Sequence, residues 1–255
     1  AGFGQIVMVI RGELRATLEL RLAPHLRNGA DLHFVEQTFD RVPTGCKVPA
    51  NRTKPLGTAH ALWCCAPLLH GPFAVVNADD YYGHEAFRLL ATHFRRSDNP
   101  AMVGYRLAAT LSSHGGVNRG VCRLDADGCL EHVSEYTDIA ARSGTLEGMA
   151  PDGGRELLAP DTVVSLNCWG LTPALFPDLE RGLQEFLERA GAKDEYFLPH
   201  AISEQLAVRG RKLAVLTTGE SWLGLTYPGD RERVMAAIAA LHAGGIYPTP
   251  LWATP

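Results

Sequence analysis

At 255 residues and 27.6 kDa the chain is long enough to bury a full core as one domain. Its 46% hydrophobic and 20% charged content is globular, and a net charge of −4 excludes the basic excess of a nucleic-acid binder. No apolar run reaches membrane-spanning length and no signal-peptide pattern opens the sequence, which argues against a membrane role and for a cytoplasmic protein. The six cysteines (46, 64, 65, 122, 129 and 168) show neither CxxC nor zinc-ligand spacing and read as reduced thiols.

Ala1-Gly2-Phe3-Gly4 resembles the end of a helix with a glycine cap, so something helical is expected to precede it. Ile6 to Ile10 is a short apolar strand. Leu14, Leu18 and Leu22 recur at helical spacing across residues 12 to 22. Leu32 to Val35 is the next strand. Residues 38 to 53 hold two prolines and mixed charge without periodicity, the mark of a long loop. It is expected to close over a ligand, with Arg41, Lys47, Arg52 and Lys54 as candidate phosphate contacts or as a solvated basic face.

Thr58 is the expected cap of a helix that ends near Pro67. Phe73 to Ala78 is continuously apolar, as in a central parallel strand. Asp79 and Asp80 stand at its C-terminal end, the edge where open α/β sheets bind ligands. Two adjacent acids repel each other unless a cation relieves them, so this segment suggests a metal–nucleotide site. A turn or cap acid is the other reading of each.

A helix over 84 to 95 and a strand over 101 to 107 complete an alternating βαβα half. The second half changes character. Two strands, 117 to 124 and 129 to 135, flank Asp125-Ala-Asp-Gly128, a hairpin turn. Residues 138 to 161 are polar and glycine-rich and read as a mobile loop. A strand over 162 to 170, helices over 178 to 190 and 199 to 209, a strand over 211 to 217 and an amphipathic helix over 231 to 243 follow. Trp169, Trp222 and Trp252 read as core or interface residues, and His60 as a structural helix-face histidine. The organisation expected is one domain, 1 to 255, with an antiparallel elaboration in its second half.

Pro55-Leu-Gly-Thr-Ala-His-Ala61 and Pro72-Phe-Ala-Val-Val-Asn-Ala-Asp-Asp80 together resemble the sugar-1-phosphate nucleotidyltransferases, in the UTP–glucose-1-phosphate uridylyltransferase variant. The resemblance continues through Arg119 to Gly128, Val133 to Tyr136, Glu195 to Ile202 and Trp222 to Asp230. It implies a GT-A-like, Rossmann-like α/β three-layer sandwich with a mixed, mainly parallel sheet, N-terminally truncated in this chain. Residues 1 to 107 would be the nucleotide-binding half and 108 to 255 the sugar-binding half.

The reaction it implies is attack of a sugar 1-phosphate on the α-phosphorus of an NTP, giving NDP-sugar and pyrophosphate. Mg²⁺ is the implied cofactor, and NTP and sugar 1-phosphate are the implied partners, with a homo-oligomer left open. Asp79 matches the metal-binding acid, with Asp80 beside it. Gln37, Gly57 and Thr58 match nucleotide-binding positions, although Thr58 also serves as a plain cap. Gly120 and Glu135 match sugar-binding positions. Asn167, polar on an apolar strand, is a further contact that needs some partner. Glu195 matches another pocket acid or is an ordinary cap acid.

Three departures from that pattern matter. The glycine-rich loop that cradles the triphosphate and carries the catalytic Arg and Lys is not found in these residues. It is expected upstream of Ala1, and the 255-residue chain alone is expected to turn over negligibly. Tyr136 follows Glu135 where the family has a basic residue. A second metal acid is expected near Trp222, where the alignment offers Gly224 or Thr226. Asp230 can substitute, or cap the last helix. Two further readings stay open: a non-catalytic nucleotide- or sugar-phosphate-binding homologue that partners an active subunit, and a GT-A glycosyltransferase.

Overall fold

The computed structural model describes residues 1–26, 29–142, 144–210, 212–225, 227 and 229–251, without the side chains of 205–209. Thr226, Arg211 and Trp252, singled out above, lie outside the described residues. The class is α/β and Rossmann-like, with helices accompanying a mixed sheet. The chain packs as two compact units interleaved in sequence. Ala1–Val75, Ala91–Ala101 and Trp169–Ala214 form the first, and Val76–Leu90, Met102–Cys168 and Val215–Pro255 the second.

In the first unit, β1 (Gln5–Ile10) and β2 (Asp31–Glu36) pair in parallel, with α1 (Arg15–Leu26) between them in sequence. Val7 of β1 and Val35 of β2 pack with Trp63, Cys64, Cys65, Leu68 and Leu69. Trp63 belongs to α2 (Thr58–Trp63), whose buried Ala59, His60 and Leu62 sit in the helical core. α4 (Phe176–Arg189) contributes Leu179, Leu183, Phe186 and Leu187, one apolar stripe at helical spacing. α5 (Leu198–Arg209) adds Ala201 and Ile202. β3 is shorter than the apolar run that announced it, Phe73–Val75, and it lies antiparallel to Trp169–Leu171 of β9 (Val163–Leu171) rather than parallel to a neighbour. Residues 76 to 80 leave the ladder and turn, so the two acids stand on a turn beyond a short strand.

In the second unit the sheet runs in the order β10-β4-β9-β5-β6-β7-β8. β4 is Ala101–Arg106 and β10 is Ala214–Thr217, both continuous from the first unit. The two are parallel: the Ala214 N–H reaches the Pro100 carbonyl and the Thr218 N–H the Gly104 carbonyl, the same step along each chain. β5 (Val117–Leu124) and β6 (Leu130–Arg142) form the expected hairpin, closed by Gly128 at φ +76° and by Asp125 Oδ1 accepting the Asp127 and Cys129 N–H groups.

Much of the described stretch over 138 to 161, read as a mobile loop, is strand instead. β6 runs on to Arg142, and β7 (Thr145–Met149) and β8 (Arg155–Leu158) continue the antiparallel ribbon. Its polar composition misleads because an outer ribbon is held by its ladder and by charge pairing. Asp138 there takes both Arg142 (2.7 Å) and Arg155 (2.9 Å). α3 (His84–Phe94) and α6 (Asp230–Ala243) stand close to the expected spans. No helix among the described residues is long and apolar enough to cross a membrane. The six cysteines are free thiols, and burial pushes Cys65, Cys122 and Cys168 up to about 12.

Candidate functional site

The site residues read from the sequence fall into two clusters, one in each unit. The first gathers Gln37, Gly57, Thr58 and Glu195. Gln37 follows β2, and its amide nitrogen donates to the Gly57 carbonyl and to His60 Nδ1, both at 2.9 Å. His60 Nδ1 therefore accepts, and the ring proton sits on Nε2, 2.6 Å from the Arg41 carbonyl. Burial, abetted by the Arg41 and Arg52 charges, holds the His60 pKa below its usual value. The histidine is neutral and structural, as its helix-face position suggests. With both amide hydrogens spent, Gln37 keeps only its oxygen for a ligand.

Gly57 has φ +104° and ψ 176°, a conformation essentially restricted to glycine. A Cβ there would lie 2.4 to 2.8 Å from the backbone of Tyr196. The reason for the glycine is thus the Tyr196 segment, whose N–H and carbonyl bridge Leu56 (2.8 Å) and Ala59 (3.0 Å). Thr58 is not the cap: Gly57 holds that position, and the Thr58 hydroxyl accepts the Leu198 N–H at 2.9 Å. Glu195 pairs with Lys54 at 3.3 Å and caps no helix.

Arg52 is not a solvated cation either. It is 5% exposed and donates to the carbonyls of Lys54, Pro55, Gly191 and Asp194. Arg41 is spent on the Glu36 and Cys64 carbonyls. Two of the four cations named for the phosphates are therefore struts that fix the 38 to 53 loop.

The second cluster is built around Asp79 and Asp80. Asp79 is exposed on the turn after β3. Asp80 is half-buried: its Oδ2 accepts from the Asn77 side-chain amide (2.8 Å) and lies 3.1 Å from the Tyr82 hydroxyl. That hydroxyl shares its one proton between Asp80 Oδ2 and the Leu166 carbonyl of β9, 2.7 Å away, so Tyr82 sits between the acid and the sheet. Burial pushes the Asp80 carboxyl up and the Asp79 charge adds to this, while Asn77, Tyr82 and the Trp222 indole favour the ionised form.

Asn167 follows Leu166 with φ +62°, a left-handed residue inside a strand that asparagine tolerates. Its side-chain amide has no protein partner among the described residues, although its backbone N–H reaches Ser165 Oγ at 3.4 Å. Gly120 stands between Glu135 on β6 and Ser165 on β9, in register with both. The Glu135 carboxylate is accessible, yet enough protein surrounds it to raise its pKa against the opposing pull of Arg119.

Asp230 opens α6 fully buried. It accepts from the Ser112 hydroxyl (3.0 Å) and the Tyr227 N–H (2.8 Å), and Arg233 lies 3.7 Å away. Its carboxylate is committed to protein donors. Gly224 lies beside Asp80, and a Cβ on it would stand 3.0 Å from Asp80 Oδ1 and 2.1 Å from the Trp222 ring. Tyr136 donates to Glu156 at 2.7 Å.

Sequence reasoning gave no site role to four residues here: Asn77, Tyr82, Arg119 and Trp222. The first two flank the acids closely enough that the spacing itself was a signal. Arg119 is buried, donates to Thr110 and Asn118, and stacks over Trp222 with its guanidinium 4.7 Å from the ring centroid. Burial pulls its pKa to about 10, with Asp80, Glu135 and Asp230 opposing the shift.

No group of three or more His, Cys, Asp or Glu among the described residues is arranged to hold a metal ion. The Asp79–Asp80 pair nevertheless suits Mg²⁺, which takes one or two carboxylates and completes its shell with waters and substrate phosphates. A cation would relieve the half-buried Asp80 of the like charge beside it.

No protein-family model matches the chain, and no curated protein sequence matches it significantly. Solved structures do. The chain is similar to the inositol-1-phosphate CTP transferase from T. maritima, with TM-score 0.59 and 12% identity over 94% of this chain and 78% of that one. It is also similar to HddC from Yersinia pseudotuberculosis, with TM-score 0.51 and 12% identity over 92% and 77%. At this identity the likeness establishes the fold.

Proposed function

We propose that the chain is a nucleotidyltransferase that moves an NMP from an NTP to a sugar 1-phosphate or a related phosphorylated polyol, with release of pyrophosphate. The observation that carries this reading is the fold likeness over 94% of the chain to an inositol-1-phosphate CTP transferase. The two clusters support it through their chemistry. Gln37 offers a carbonyl oxygen, which accepts from the donor edge of a pyrimidine, with Gly57 and Thr58 beside it. Asp79 and Asp80 are the carboxylates for Mg²⁺, which when bound neutralises charge on the phosphates. Asn77 and Tyr82 hold Asp80 in place. Asp230 is left out of this set because Ser112 and Tyr227 already use its oxygens. Glu135, paired with Gly120 across the β5–β6 ladder, accepts from the hydroxyls of the sugar, and Asn167 is the further contact. Glu195, a sugar-pocket acid by the resemblance, pairs with Lys54. Catalysis of this kind rests on positioning and charge neutralisation.

A second reading, a binding homologue without turnover, draws on one observation. Arg41, Arg52 and Lys54 are all engaged by protein, so among the described residues of the 38 to 54 segment Lys47 is the one cation left for phosphate. Pyrophosphate release with each of four NTPs, Mg²⁺ and hexose or inositol 1-phosphates separates the two. Release that needs both substrates supports the transferase. Calorimetric nucleotide binding without release, both by this chain and by any longer chain that carries a glycine-rich phosphate loop, supports the binding homologue. Neither binding nor release overturns both.

A further inference from the structure

Trp222 carries a buried polar atom that the function above does not use. The residue is 6% exposed, and its indole nitrogen has no hydrogen-bond partner among the described residues. A buried donor without an acceptor is uncommon and calls for an explanation. Its surroundings supply one. Arg119 covers the ring at 4.7 Å and is itself anchored by Thr110 and Asn118, so the indole is clamped from one side by a rigid guanidinium. Past its other edge lies Gly224. The place a side chain at 224 would occupy is filled by Trp222 Cζ2 and Cη2, at 2.2 and 2.1 Å, with Asp80 Oδ1 bordering the same spot at 3.0 Å. Cζ2 is the ring position next to the carbon that bears Nε1, so this edge of the indole borders the spot that Asp80 Oδ1 also borders. Asp80 uses Oδ2 for Asn77 and Tyr82, which leaves Oδ1 on the Trp222 side. The N–H favours the ionised acid yet stands just outside hydrogen-bond geometry.

We propose that Trp222, held by Arg119, is a positioning residue for Asp80: its indole N–H closes onto Oδ1 and fixes the orientation of the carboxylate, in the space where Gly224 admits no side chain. The part of this that concerns nucleotide rests on the transferase reading. The contact itself does not. Asn77 and Tyr82 hold one oxygen, Trp222 the other, and the acid cannot swing. Positioning of this kind is worth more to a charge-bearing site than to the fold, because a misdirected carboxylate costs affinity while the ring still packs.

The test uses the whole chain with ¹⁵N-labelled tryptophan. Trp222→Phe keeps an aromatic ring, though a smaller one, and removes the N–H, and the indole resonance it deletes is that of Trp222. In Asp80→Asn that indole N–H should exchange with solvent about tenfold faster or more, as expected for loss of a charge-assisted bond. In parallel, Trp222→Phe should weaken binding of Mg²⁺ with nucleotide about tenfold, measured where the variant is still fully folded, and Asp80→Asn/Trp222→Phe should bind no worse than Asp80→Asn. Arg119→Met should shift the Trp222 resonance. Unchanged indole exchange in Asp80→Asn overturns the inference. So does additive loss of nucleotide binding in the double variant. A wild-type chain that binds no nucleotide refutes the transferase reading instead, and the exchange measurement still decides the contact.

Discussion

Gly57→Ala places a methyl group where the structure has no room. Two costs arise. The first is conformational: φ +104° with ψ 176° lies in a region open to glycine, and forcing another residue into it costs about 1–3 kcal/mol. The second is steric: the new Cβ stands 2.4 Å from the Tyr196 oxygen, 2.6 Å from its nitrogen and 2.8 Å from its carbonyl carbon. These are backbone atoms and cannot turn aside as a side chain does. The Tyr196 segment must move, and its bonds to Leu56 and Ala59 stretch or break. Each is worth about 1 kcal/mol net, and more if a buried group is left unpaired. The sum is about 3–6 kcal/mol, a large part of the 5–15 kcal/mol that ordinarily holds a domain together. Urea unfolding without nucleotide measures it: the midpoint should fall sharply at constant slope. A loss below about 1 kcal/mol would show that Tyr196 does not dictate this glycine. A loss that appears only with nucleotide bound would assign it to ligand approach instead.

Asp79→Asn removes an exposed charge from the turn after β3, so Mg²⁺-dependent nucleotide binding should vanish in calorimetry while the unfolding midpoint stays put; unchanged Mg²⁺ affinity refutes the assignment. Arg52→Ala leaves four backbone carbonyls without their donor and should destabilise the fold by at least about 2 kcal/mol in urea. A nucleotide-affinity loss with normal stability would return Arg52 to the phosphates. His60 has a folded pKa below its unfolded value near 6.5, so the unfolded state takes up the proton first as pH falls. Stability should be full above pH 6.5 and decline from there toward the depressed folded pKa, by at most about 1.4 kcal/mol per pH unit. His60→Gln should flatten that decline in unfolding curves between pH 7 and 5, and an identical slope in both proteins contradicts the assignment.

The sequence by itself determined the elements that depend on neighbours a few residues apart. The Asp125–Gly128 turn needs only a left-handed glycine and an aspartate that accepts nearby N–H groups, and both were legible. The apolar stripe of α4 and the paired acids beyond Phe73–Val75 were legible for the same reason. Tertiary structure decided whatever depends on a distant partner. Nothing near Arg52 says that Gly191 and Asp194 will accept its hydrogens, so a basic loop residue looked free. Nothing near Gly57 names Tyr196. The polar run from 138 to 161 looked like a loop because its order comes from ladder partners and an Asp138–Arg155 pair, not from an apolar face. The clamp of Arg119 on Trp222 beside Asp80 joins three segments far apart in sequence. A local pattern records which face a residue prefers. Only the closed fold decides which groups meet, because long-range contacts are set by the packing of whole elements.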